Sequence, residues 1–194
     1  MALADREGLK ALSMRRLGAE LGVEAMTLYH HLPGKDALLD GLVERLLTRA
    51  APAEFGGPSW RDDLRGYAGA LTAALLAHPN LFPLVVTRPA ITPGNLRAME
   101  DALTSLGRAG FPPGTALDIL YSVIGFVVGH VAAQVASGRG EEPDPALLSA
   151  GLTPGEFPLL SAAVAAGREP AARFGFALDA MLSGFETARR PGGA

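Results

Sequence analysis

The chain has 194 residues, 48% of them hydrophobic and 19% charged, which is enough apolar material for a packed core and excludes global disorder. It contains no cysteine, which excludes disulfides, thiolate metal sites, iron–sulfur clusters and cysteine nucleophiles. The net charge is −3, so any contact with nucleic acid must rest on local positive charge.

The N-terminus runs from Met1 into Asp5-Arg6-Glu7 without an apolar signal segment, and the expected compartment is the cytoplasm. The first informative stretch begins at Leu12. Ser13 stands where a helix N-cap belongs, with Leu12 and Leu17 placed as a hydrophobic staple around it. A helix is predicted over Met14–Leu21, and Gly22 supplies the backbone freedom for a sharp turn. A second short helix follows from Glu24 to about His31 and is broken by Leu32-Pro33-Gly34. A third starts near Lys35-Asp36 and runs through Leu46 and Leu47.

Two short helices joined by a glycine turn form a helix-turn-helix pattern, whose second helix enters the DNA major groove while the first crosses the backbone. Leu17, Leu21, Val23, Leu28 and Leu32 are expected to form the small core between these helices. Thr27, Tyr29, His30 and His31 then project outward, able to meet base edges or phosphates. Lys35 is placed to reach a phosphate, and Arg15 and Arg16 sit near the flanking backbone. From Arg6 to Lys35 five cations stand against three anions, a net +2. That is weak for one copy and doubles for two copies on one duplex.

Ala50 to Pro58 is rich in Pro and Gly and reads as a linker. Beyond it Trp60, Leu64, Tyr67, Leu71 and Leu75 recur at spacings of 3 and 4, one face of a helix over Ser59 to His78. Pro79 to Arg88 reads as one short apolar helix closed by Pro89, and Asn95 to Ala109 as another, with Leu96, Met99, Leu103 and Leu106 in register. Pro113 to Ser137 is a long apolar helix. Its uncharged run of 18 residues, Ile119 to Ala136, reaches the lower length limit for a membrane span. Its polar residues, Ser122, His130 and Gln134, favour a buried core or dimer helix instead. Gly125 and Gly129 are spaced for close helix packing, and His130 for a hydrogen-bonded core or interface position. Ser137 to Pro145 is a polar loop whose Glu141, Glu142 and Asp144 read as solvated. Pro154 to Gly167 is a modest helix. Ala171 to Arg190 carries Phe174, Leu178, Met181, Leu182 and Phe185 on one stripe, with Arg189 and Arg190 suited to the dipole of its last turn. The fold class is all-α. No hydrolase, Walker, zinc-protease or dinucleotide motif occurs, so no catalytic residue is assigned and an enzyme is not expected.

Residues 5–47, from Asp5-Arg6-Glu7-Gly8 through Leu12-Ser13-Met14-Arg15-Arg16-Leu17 and Thr27-Leu28-Tyr29-His30-His31 to Lys35-Asp36-Ala37-Leu38-Leu39-Asp40, resemble the DNA-binding domain of the TetR family of regulators. Ser59-Trp60, Thr87-Arg88-Pro89, Gly110-Phe111 and the stretch from Phe126 to Gly129 resemble the regulatory domain of the tetracycline repressors. The resemblance implies a helix-turn-helix domain at 1–50, with a shortened first helix, and a helical ligand-binding and dimerisation domain at 51–194. It implies a homodimer on palindromic operator DNA, paired through the helices near 113–137 and 171–190 and released by a small effector. It places Arg15, Thr27, Tyr29, His30, His31 and Lys35 where the family touches DNA. It puts the effector among the helices at 59–78, 95–109 and 113–137, where Tyr67, Leu71, Met99, Leu103, Tyr121, Ile124 and Val128 are the expected lining. The tetracycline repressors hold a magnesium–drug complex with a His before Thr-Arg-Pro and a Glu on the long helix. Here Leu84 or Val85 and Ala133 stand at those places, so the expected effector is apolar and metal-free, with no cofactor. The alternative is a helical small-molecule-binding dimer whose shortened first helix no longer grips DNA.

Overall fold

The computed structural model describes residues 1–50, 55–57, 59–89, 91–136, 151, 155–167 and 169–189. Among these residues every regular element is helical. The acidic loop, with Glu141, Glu142 and Asp144, and also Arg190 lie outside the described residues.

The N-terminal unit holds α1 (Ala2–Glu7), a 3-10 turn at Leu9–Ala11, α2 (Met14–Leu21), α3 (Ala25–Tyr29) and α4 (Lys35–Ala50). The Ser13 hydroxyl accepts from the Arg16 amide at 3.1 Å and caps α2. Gly22 closes α2 in the left-handed conformation, φ 69°. Helix α3 is shorter than the sequence pattern suggests, so His30 is its C-cap and His31 lies in the turn beyond it. The interior also differs from expectation. Leu21 is 59% exposed and Val23 is exposed as well, while Leu17, Leu28 and Leu32 are half-buried. The buried apolar residues are instead Leu3, Ala4, Leu12 and Met14, with Leu42, Val43 and Leu46 from α4. Helical spacing gave Leu21 the right face of α2, but nothing among the described residues packs over that end.

The larger unit is centred on α5 (Trp60–Ala77), which packs along α8 (Pro113–Ala136). All five expected residues of the α5 face are buried, with Ala68 beside them. Helix α8 presents Ala116, Ile119, Leu120, Val123, Val127 and Val131 to the core. The opposite side of α8 carries Asp118, Ser122, Gly125, Gly129 and Ala133 exposed, and a Cβ added at either glycine would meet open space. This long apolar helix is thus half core and half small-residue surface.

Pro79 splits the expected helix at 79–88. A 3-10 turn at Pro79–Leu81 precedes α6 (Phe82–Thr87), and the chain bends by 94° between α5 and this segment. Helix α7 (Pro93–Arg108) is capped by Thr92, whose hydroxyl accepts from the Asn95 amide at 3.4 Å. Among the described residues that follow are the helices α9 (Pro158–Ala165) and α10 (Pro170–Phe185), the second burying Leu178 and Leu182 against the core. A 3-10 turn at Glu186–Ala188 ends α10 early, so Arg189 does not lie in its last turn. Arg189 reaches sideways and donates to the Ala109 carbonyl at 2.8 Å. His130 stacks among Phe126 and Phe174 at the contact of α8 with α10 and accepts from the Gln134 amide at 2.7 Å.

Among the described residues, polar attachments join the two units at three places. His78 Nδ1 lies 3.0 Å from both carboxylate oxygens of Asp5, and Asn80 donates to the carbonyls of Ala4 and Asp5 at 3.2 and 2.9 Å. Glu44 of α4 accepts from the Gly94 amide at 3.0 Å. Arg88, just past α6, holds Asp36 and Asp40 of α4.

Candidate nucleic-acid interface and ligand cavity

The tight turn between α2 and α3 sets the candidate interface. Gly18 lets the chain at Val23–Ala25 approach α2, since a Cβ there would lie 2.7 Å from the Val23 carbonyl oxygen. Arg15, Thr27, Tyr29, His30, His31 and Lys35 are all exposed on this unit. Tyr29 is 49% exposed, so its ring is not a core element. Arg16 behaves differently from its neighbour. Its Nε donates to Glu7 at 3.1 Å, while Arg6 pairs with Glu20 at 2.8 Å. These four charges tie α1 to α2 and cancel one another, which leaves Lys10, Arg15 and Lys35 as the cations outside the cluster between residues 6 and 35. Hydrogen bonding from Arg16 holds the Glu7 carboxyl below its usual range.

The second feature is a cavity of about 530 Å³ lined by residues of α4, α5, α6, α7 and α8 and open to solvent on one side. That size is ordinary for small-molecule sites, which run to about 300–1,000 Å³. Of the residues expected from the sequence, Tyr67, Met99, Tyr121, Ile124 and Val128 line it. Leu71 does not: it is fully buried one turn past Tyr67, where α8 closes against α5. Leu103 likewise packs on the core one turn past Met99 rather than facing the space. The lining also includes residues that the sequence reading missed, notably Leu47 of α4, Phe55, Val85, Arg88 and Asn95. Arg88 lies in the Thr-Arg-Pro stretch already noted; Leu47 and Phe55 come from far away in the chain and carry no local signal.

Burial pushes the Tyr67 hydroxyl up to about 12, so it stays protonated as a hydrogen-bond donor. The Phe55 ring lies 6.0 Å from the Tyr67 ring. Leu84, Val85 and Ala133 offer no donor atoms to a metal, so the magnesium arrangement of the tetracycline repressors does not fit these residues. Among the described residues no group of three or more His, Cys, Asp or Glu side chains could hold a metal ion.

Comparisons with known proteins cover both features. Residues 1–42 match the family described as bacterial regulatory proteins, tetR family, and residues 51–189 match the tetracyclin repressor-like C-terminal domain. The HTH-type transcriptional repressor DrrR1 of Streptomyces coeruleorubidus is 33% identical over 95% of this chain and 73% of its own length. The class E tetracycline repressor protein of Escherichia coli is 36% identical over 73% of this chain and 67% of its own. Among solved structures, ActR of Streptomyces coelicolor in complex with actinorhodin superposes with a TM-score of 0.77 at 26% identity, covering 96% of this chain and 93% of that one.

Proposed function

The chain belongs to the TetR family of transcriptional regulators, with an N-terminal DNA-binding domain and a C-terminal domain of the ligand-binding type, and from that premise we propose that it is a cytoplasmic repressor released from palindromic operator DNA by a small, largely apolar, metal-independent effector. The observation that carries this reading is that α4 belongs to both features at once. Its first residue, Lys35, stands beside the turn that follows α3, and its Leu47 lines the cavity. A molecule that fills the cavity therefore touches the helix that carries the DNA-facing unit. An effector lowers operator affinity only by the difference in its own affinity for the two arrangements.

The reading includes a homodimer. The exposed small-residue side of α8, with Ser122, Gly125 and Gly129, supports close pairing with a second copy, and Phe176 of α10 is exposed alongside. Two α3 helices would then enter major grooves one helical turn apart, about 34–36 Å. The roles of Arg15, Thr27, Tyr29, His30, His31 and Lys35 at the operator belong to this proposal, supported by their exposure. The match of residues 1–42 to the family's DNA-binding domain disfavours the alternative of a dimer that no longer grips DNA.

Fluorescence anisotropy with a duplex from upstream of the protein's own gene, against a scrambled duplex at one fixed salt concentration, tests the reading. The native duplex should bind more tightly. Tyr29→Ala should weaken that binding by about tenfold or more, the loss of a contact of about 1–3 kcal/mol, with an unchanged melting temperature. Equal binding of both duplexes by the parent chain and the variant would remove the operator reading.

A further inference from the structure

We propose that the effector is an organic anion, an apolar body bearing one acidic group, and that this group works by taking Arg88 away from α4. The proposal rests on the cavity being the effector site and adds its ligand class and its trigger. Among the described lining residues, Arg88 is the one that carries a formal charge; the others are apolar apart from Tyr67, Tyr121 and Asn95. A cation in an otherwise apolar wall is the one point in it that can pair with a negative group on a ligand.

Arg88 is already engaged with α4. Its Nη1 donates to Asp40 at 2.6 Å and reaches the Asp36 carbonyl at 3.4 Å, while its Nη2 pairs with the Asp36 carboxylate. One guanidinium thus serves two carboxylates that lie four residues apart on one face of α4. Without it they are like charges at a helical spacing where like charges repel. The trio carries a net charge of −1, so an incoming anion gains nothing by joining it and must displace a carboxylate. Asp36 is 88% exposed and passes into water at little cost. An acidic ligand group, held in the cavity by its apolar body, competes for the guanidinium from a drier side. The protonated Tyr67 hydroxyl, which donates to no acceptor among the described residues, supplies a second contact for an oxygen of the same ligand. A neutral molecule of equal shape fills the cavity and leaves Arg88 on α4. Ligand and DNA-facing helix thereby compete for one side chain, and the coupling is reciprocal.

Two fluorescent probes with the same rings test this: anilinonaphthalene sulfonate, an anion, and N-phenylnaphthylamine, which lacks the sulfonate. Both are titrated into the full-length protein. In the double variant Asp36→Asn, Asp40→Asn the sulfonate should bind about fivefold more tightly, since its competitors are gone, with the uncharged probe unchanged. In Arg88→Gln the sulfonate should lose its advantage while the uncharged probe still binds, which also reports that the cavity persists. A sulfonate affinity indifferent to all three positions, or equal changes for both probes, overturns the proposal. Met99→Trp, which fills the cavity, should expel the uncharged probe. Undiminished binding of that probe to Met99→Trp would overturn the cavity reading itself, an outcome separate from failure of the Arg88 exchange.

Discussion

At Gly18 a single hydrogen atom sets how closely α2 and α3 approach. Helix propensity alone favours alanine over glycine there by about 1 kcal/mol. Sterics oppose it, because the added Cβ would lie 2.7 Å from the Val23 carbonyl and 3.2 Å from the Ala25 amide, both rigid backbone groups. Forcing that contact costs about 1–3 kcal/mol, so sterics win. Gly18→Ala should lower the urea midpoint and weaken duplex binding together. That separates it from Tyr29→Ala, which should affect duplex binding alone. An unchanged urea midpoint for Gly18→Ala would mean that the turn relaxes to admit the methyl group.

At the scale of the element, α2 is held by its own cap and by charges drawn from α1. The folded protein keeps Glu7 ionised to lower pH than an unfolded chain does, chiefly through the hydrogen bond from Arg16. A depressed carboxyl contributes stability above its unfolded value, about 4.3, and loses it as the pH falls through the folded value. Glu7→Gln should therefore lower the urea midpoint at neutral pH, and the gap from the parent protein should close on acidification below about pH 4. A gap that stays constant would assign the effect to something other than this ion pair. Elements set by local chemistry were legible in the sequence: Ser13 and Gly22 bracket α2 by short-range hydrogen bonding and backbone freedom, and the α5 stripe is plain periodicity. Long-range choices were not. The Arg88 grip on Asp36 spans 52 residues and leaves no trace in spacing. Nor could periodicity tell that Leu21 stays uncovered, or that Leu71 is core while Tyr67, four residues earlier, faces the cavity. Both helical positions share a face, and only the neighbouring helix decides.

For the whole molecule, the proposed pairing surface and the cavity draw on different sides of α8. One side contributes Leu120, Ile124 and Val128 to the cavity; the other leaves Gly125 and Gly129 bare. A leucine at Gly129 meets no atom of its own chain within reach of its Cβ, so the monomer should fold as before. Between two copies the same side chain would overfill a close helix contact, at about 1–3 kcal/mol per side, and the dimer should weaken by tenfold to about a hundredfold or more. Sedimentation across a concentration series measures this, and an unaltered dimer would place the interface elsewhere.

The three polar attachments between the units carry a kinematic consequence. A rigid body pinned at three points off one line cannot turn, whereas one pinned at two keeps a single rotation about the axis through them. The pins here are Asp5 on His78 and Asn80, Glu44 on Gly94, and Asp36 with Asp40 on Arg88. Letting go of Arg88 removes one of these pins, and the apolar packing of α4 on α5 and α7, which persists, confines the freedom gained to the start of α4. In a symmetric pair the same release in each copy would be related by the dyad, so the two α3 helices would shift together or not at all.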